Sequence, residues 1–394
     1  IYLLKINNVM KKITVLFLGF SLLSSSVMFS QEERDRVITT AVPFLLISAD
    51  ARAAAMGDQG VATSADAFSQ QWNPAKYAFI NNEQGIGVSY TPYLSNIVND
   101  IFLGNLTYFN RLDDRSAVAA SLRYFSLGSI ETQGGFEEQP LLLSPNELTL
   151  DISYALRLAD NFSMAVAGRY LRSDLKLAVN SEDATAASTF GVDVAAFYQS
   201  QDIVFSNFDG RVRAGANISN IGPKIKYDEV GQENFIPTNL KAGAGFDFIF
   251  DASNRLGTYL EFNKLLVPTP KDFNNDGQID QEDEQEYNSI GSISGIFKSF
   301  GDAPGGFGEE LREVTWALGA EYVFQEQFSL RSGYFNESDT KGSRKFVAVG
   351  AGFKYSPVVI DVSYLFSTSK VVSPLEGTLR FGLIFHFGDD YANN

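Results

Sequence analysis

The chain has 394 residues, a formal charge of −16, no cysteine and a single histidine, His386. That composition excludes disulfides, thiol chemistry and Cys- or His-based metal clusters, and it argues against nucleic acid as a partner, which needs a basic face to neutralise phosphates. Mean hydropathy is near zero despite 33 Phe, 17 Tyr and 2 Trp, a combination suited to a barrel that turns its aromatics to lipid and to two interfacial girdles.

In chain order, Met10-Lys11-Lys12 followed by ITVLFLGFSLL reads as a signal peptide over residues 1–30, with translation starting at Met10 and cleavage after Ser30. Met28 fits the small-residue rule of such sites poorly. Beyond it no apolar run reaches about twenty residues, so no mature transmembrane helix is expected. A mature chain that spans a membrane must then be a closed barrel, the other structure that satisfies every backbone group in lipid.

Residues 31–83 are expected to form an N-terminal plug. The stretch PFLLISADARAAAMGDQGVATSADAFSQQWNPAKYAF is rich in Ala and Gly, apolar enough to be buried, and ends in Asn73-Pro74-Ala75-Lys76. Pro74 disfavours helix at Asn73 and predicts a turn there.

From Gln84 onward apolar residues alternate with period two, the mark of strands with two unlike faces. Leu240, Ala242, Ala244, Phe246, Phe248 and Phe250 share one face against Lys241, Gly243, Gly245 and Asp247; Val314–Phe324 and Leu379–Phe387 repeat the pattern. Fourteen such segments are predicted, near 84–94, 100–110, 115–127, 147–158, 162–175, 188–200, 208–220, 237–250, 255–267, 312–324, 327–337, 346–355, 358–368 and 377–387. At about eleven residues they exceed the usual five or six of soluble sandwiches. Short connections alternate with mostly longer ones, as periplasmic turns alternate with external loops. The expected fold is all-β: a 14-stranded antiparallel transmembrane barrel over 84–388 with a tail at 389–394, in the outer membrane and in contact with its lipid, both termini periplasmic. Inward charges at Arg169, Arg211, Arg213, Lys241, Glu321 and Arg380 predict a salt-bridged interior.

The long loop 268–311 carries the chain's most specific chemical spacing. Asp272, Asn274, Asp276, Gln278, Asp280 and Asp283 occupy positions 1, 3, 5, 7, 9 and 12 of a calcium-type loop, with Gly277 at the sharp turn of position 6. A structural Ca2+ that orders this loop is expected. The spacing is similar to that of EF-hands, and more closely, with Asp283 closing it, to that of dockerin loops. No catalytic constellation accompanies it: a triad would have to recruit His386, and the Gly-rich runs lack the helix and Lys of a phosphate loop.

Asn73-Pro74-Ala75 after an Ala/Gly-rich plug, with a fourteen-stranded barrel, resembles the FadL superfamily of fatty-acid and hydrocarbon channels. Within it, Pro43-Phe44-Leu45, Ala49-Asp50-Ala51-Arg52-Ala53, Met56-Gly57-Asp58, Gly60-Val61-Ala62 and Trp72-Asn73-Pro74-Ala75-Lys76 are similar to the PorV/PorQ group of the type IX secretion system of Bacteroidetes. The resemblance implies a non-enzymatic role. Such barrels associate with the large translocon barrel, bind cargo through its C-terminal signal domain and deliver it to the surface attachment machinery. Phe297, Phe300 and Phe307 in the long loop are the candidate contacts. A FadL-like transporter of hydrophobic small molecules is the alternative.

Overall fold

The computed structural model describes residues 36–132, 141–175, 186–227, 232–370 and 373–390. The signal peptide and its cleavage site, the start of the plug at 31–35 and the final residues 391–394 lie outside them.

Fourteen long strands form one antiparallel meander: β1 Asn82–Pro92, β2 Ile101–Arg111, β3 Ser116–Leu127, β4 Asn146–Ala159, β5 Phe162–Asp174, β6 Ala187–Gln199, β7 Asp209–Ile221, β8 Asn239–Ile249, β9 Asn254–Leu265, β10 Thr315–Phe324, β11 Phe328–Asn336, β12 Lys345–Tyr355, β13 Val358–Ser367 and β14 Leu379–Asp390. Each pairs with its chain neighbours, and β14 pairs with β1, Tyr90 facing Phe381 and Gln84 facing Phe387, so the sheet has closed on itself. Closure leaves no unpaired edge, which is what permits a sheet to stand in lipid. Among the described residues no helix is long and apolar enough to cross a membrane.

The alternation predicted from the sequence is realised. Ile152, Val166, Phe190, Leu318 and Leu330 point out and are largely exposed, whereas Asp151, Arg169, Asp193, Asp247 and Glu321 point in and are buried. Short turns join β2–β3, β4–β5, β8–β9, β10–β11 and β12–β13 at one end, and longer connections lie at the other. The connection between β6 and β7 is looser and holds the two-residue strand Ile203–Val204, which extends β7 at Asp209 and Gly210. On the long-connection side, Ile130–Thr132 and Leu141–Leu143 make a small separate ribbon.

Residues 41–81 run inside this ring and touch inward side chains around its circumference. The inner segment contains a 3₁₀ turn at Pro43–Leu46, the short helices α1 Ala51–Ala55 and α2 Ser69–Trp72, and a 3₁₀ turn at Pro74–Phe79. Two apolar clusters hold it. Toward the long connections, Val42, Phe44, Leu45 and Ala49 pack with Leu103, Phe125, Leu171 and Ile225. Toward the short turns, Phe68, Tyr77, Ala78 and Ile80 pack with Phe109, Phe197, Ile384 and a run of wall alanines.

The described chain starts at the long-connection mouth, where Arg36 bonds Glu309, and β14 finishes at the opposite end, where Asp390 faces Asn82. The inner segment thus traverses the ring from one mouth toward the other.

Candidate functional site

The motif residues of the inner segment are bound to the wall by buried charge. Asp50 is the N-cap of α1: its Oδ1 accepts from the Ala53 amide at 2.8 Å and its Oδ2 accepts from Trp72 Nε1 at 2.7 Å. Arg52, on the same short helix, donates to both oxygens of Glu321 (Nε at 2.9 Å, Nη2 at 2.8 Å) and to Asp66 at 2.6 Å. Glu321 continues to Arg331 at 2.7 Å, and Arg331 to Asp361 at 2.5 Å. Two-pronged guanidinium–carboxylate pairing fixes geometry as well as charge, so this chain of pairs sets the angle of α1 against β10, β11 and β13.

Met56-Gly57-Asp58 lies directly against the wall. Gly57 has φ +86, and a Cβ placed on Gly333 of β11 would fall on the backbone of Met56. Asp58 then reaches Arg380 of β14 at 3.0 Å. Glu261 of β9 accepts from the Gly60 and Val61 amides at 2.8 Å each. Asn73 caps the turn predicted before Pro74, its Oδ1 accepting from the Ala75 amide at 3.0 Å and its Nδ2 donating to the carbonyls of Val61 and Ala196. The predicted salt-bridged interior is present at Arg169 with Asp151 and Asp193, and at Arg213 with Asp247. Arg211 instead pairs with Asp202 at the short-turn end.

Above the inner segment, at the long-connection mouth, lies a cavity of about 450 Å³. Leu46, Trp72, Leu265, Phe335 and Phe346 supply its apolar wall, and Asp58, Lys241, Glu313, Glu337, Lys341 and Arg344 its polar one. Lys241, foreseen as an inward charge, makes no ion pair among the described residues and holds its ammonium 4.1 Å from the centre of the Trp72 ring. Such a contact keeps a cation in place without neutralising it. Lys341, Glu337 and Arg344 lie in the β11–β12 connection, where no motif spacing marked them.

The long loop docks on this mouth through three helices, α3 Gln281–Ser289, α4 Ser292–Lys298 and α5 Phe307–Arg312. Lys341 donates to Glu309 at 2.7 Å and to Glu313 at 2.9 Å, and Lys264 donates to Glu313 at 2.7 Å. Burial alone would raise the Glu313 carboxyl, but bonds from Lys264, Thr269 and Lys341 outweigh it; Glu309 is likewise held low by Lys341 and the Gly305 amide. Carboxylates with depressed folded values stabilise the docked loop above their ordinary value of 4.5, and that stabilisation is lost as pH falls through the folded values. Amide exchange over 266–314 is therefore expected to stay slow at neutral pH and to accelerate selectively below about 4.5, ahead of the strands; loop and strand exchange changing together would contradict this.

The candidate contacts Phe297, Phe300 and Phe307 are 73%, 54% and 77% exposed, on or next to α4 and α5, and do not line the cavity. In the predicted calcium loop, Asp272 Oδ2 accepts from Gly277 at 2.8 Å, the turn that spacing requires. The closing position does not fit a cation in this arrangement. Asp283 Oδ1 accepts from the Phe273 and Asn274 amides and its Oδ2 from the Asp280 amide, while Asp280 caps α3. Among the described residues, no three acidic or His side chains converge to hold a metal.

The family model of the type IX secretion system protein PorV matches residues 29–272, more than half of the chain. No curated protein matches it. Among solved structures, the TodX deltaS2S3 mutant monoaromatic hydrocarbon channel aligns with TM-score 0.50 at 12% identity, covering 86% of this chain and 99% of that one. The Pseudomonas putida toluene transporter TodX aligns at 0.49 and 12%, covering 89% and 98%, and a Pseudomonas aeruginosa FadL homologue at 0.44 and 12%, covering 90% and 100%. At such identities the likeness concerns the fold alone. With the family match spanning the inner segment and the wall through β9, the chain belongs to the PorV family of type IX secretion system proteins.

Proposed function

We propose that this outer-membrane barrel works as a docking component of the type IX system: it associates with the large translocon barrel, takes cargo by its C-terminal signal domain and passes it to the surface attachment machinery. The observation that carries this reading is the pairing of an occupied interior with an open, mixed-polarity cavity at the long-connection mouth. An inner segment tied to the wall by buried ion pairs acts as the plug of the barrel and leaves the mouth, not the lumen, as the working surface. The exposed phenylalanines of α4 and α5 stand beside that mouth as contacts for a large partner. Nothing in this role asks for bond-making chemistry.

The transporter alternative draws on the apolar wall of the same cavity. It needs a way out through the barrel side, and the register shift between β6 and β7 is the place to look. There Asn220 fills the gap: its amide donates to Asp193 at 2.7 Å and its Nδ2 to the Pro237 carbonyl at 2.8 Å, beneath Arg169. That packing favours the secretion role.

The test is purification of the native protein from outer membranes in mild detergent, with mass spectrometry of whatever accompanies it. A stoichiometric large barrel, or exported proteins that retain C-terminal signal domains, is the expected result. A solitary barrel carrying fatty acid or hydrocarbon would replace this reading with the transporter. Calcium in the 272–283 loop is proposed from its spacing, and requires Asp283 to leave its backbone partners. Millimolar Ca2+ is expected to slow proteolysis within 268–311, and Asp272→Ala to abolish that protection; equal cleavage with Ca2+ or chelator would retire the assignment.

A further inference from the structure

The connection between β6 and β7 folds back against the outward face of β8. Its tip is closed by the Phe205 amide donating to the Phe208 carbonyl at 3.0 Å, and the two rings stack at 4.9 Å. Phe208 lies 5.3 Å from Phe248, and Phe205 lies 6.5 Å from Phe246, both on the outward face of β8. Gly210 makes this possible, since a Cβ there would collide with the rings of Phe246 and Phe205. The result is an aromatic block continuous with the lipid-facing wall. It is not sealed: Val204 at its crest is 81% exposed and Phe250 is 47% exposed.

Between this block and the β8–β9 turn lies a groove of about 340 Å³. Its apolar floor is Phe205, Phe208, Ile249 and Phe250; its charged rim is Asp209 and Asp251, with no cationic side chain in the lining. Neither carboxylate makes an ion pair among the described residues. Asp251 accepts from the Ser253 amide at 2.7 Å and from Asn254 Nδ2, and so keeps its charge beside the groove. Acyl chains match the floor. A cation matches the rim, through the two carboxylates and through phenyl faces that attract ammonium groups.

We propose that this groove binds a membrane phospholipid whose headgroup carries an ammonium, of the phosphatidylethanolamine class, and anchors the short-turn end of the barrel at the membrane interface. The occupant is a lipid because the floor continues the wall that lipid already covers, and its headgroup is cationic because the rim offers only negative charge.

The test places a reporter on the crest. Full-length Val204→Trp, in dodecyl maltoside micelles, is titrated with brominated phosphatidylethanolamine or brominated phosphatidylglycerol, and the quenching of the wild-type protein is subtracted. Two interfacial carboxylates predict half-quenching at about tenfold less of the ethanolamine lipid than of the glycerol lipid. Asp209→Asn with Asp251→Asn, which keeps the acceptor that shapes the turn, is expected to equalise the two lipids while quenching persists. Equal quenching in the unmodified rim would overturn the headgroup assignment. Absence of quenching by both lipids would overturn the site and hand this face to a protein partner.

Discussion

Arg52→Ala is expected to release the inner segment from its wall. Arg52 is buried, and its removal leaves Glu321 and Asp66 without their shared cation in the interior of the barrel. Breaking a buried pair by deleting one partner costs about 3–5 kcal/mol, because the remaining charge stays desolvated. Arg331 keeps one arm on Glu321, so the wall should hold while α1 loses its anchor. The measurable result is proteolysis between residues 41 and 81 in a barrel whose strands remain protected, together with ion conductance in planar bilayers. Arg172→Ala is the control: its pair with Asp174 is half exposed, and such pairs contribute on the order of 0–1 kcal/mol. An Arg52→Ala protein as resistant and as non-conducting as the wild type would show that the apolar clusters alone retain the segment.

The second large effect is steric. Gly333→Val places a branched side chain where the backbone of Met56 and Gly57 already lies. A misfit that a side chain could relieve costs about 1–3 kcal/mol in a packed interior; here the obstacle is main chain on both sides, so relief means withdrawal of α1. The expected outcome is loss of the seated inner segment, read as the same proteolysis and conductance as for Arg52→Ala. Gly168→Val serves as comparison, since nothing lies within 4 Å of a Cβ at that position. A seated segment in Gly333→Val, judged by unchanged protease resistance, would contradict the packing described.

The strands were legible because period-two alternation is set by physics on both faces at once: lipid selects Phe246, Phe248 and Phe250, and the crowded interior selects Gly243, Gly245 and Asp247. Predicted bounds miss by up to three residues, as for β1, expected at 84–94 and found at Asn82–Pro92, and β10, expected from 312 and found from Thr315. The interior partners were less visible. Inward parity identifies Glu321 and Arg380, but nothing local says that Arg52 and Asp58 meet them, some 270 to 320 residues away in sequence. The helices of the long loop were missed for a different reason. Asp280 and Asp283 stand three apart, which suits calcium positions 9 and 12 and equally suits a capping box at the start of α3, and the structure contains the capping box. The same ambiguity hid the cavity, whose Lys341, Glu337 and Arg344 come from a connection with no spacing rule to follow.

The meeting of β1 and β14 has a consequence for how the molecule is made. The inner segment reaches both sides of that junction: Ser89 of β1 donates to the Ala49 carbonyl, Arg380 of β14 grips Asp58, and Phe68 lies over both Gly87 and Gly382. Seating of the preceding chain and joining of the last strand to the first are thereby coupled, because one segment supplies partners to both strands. The segment braces the seam from inside, and an assembly that stalls before β14 arrives would leave it without Arg380 as a partner for Asp58.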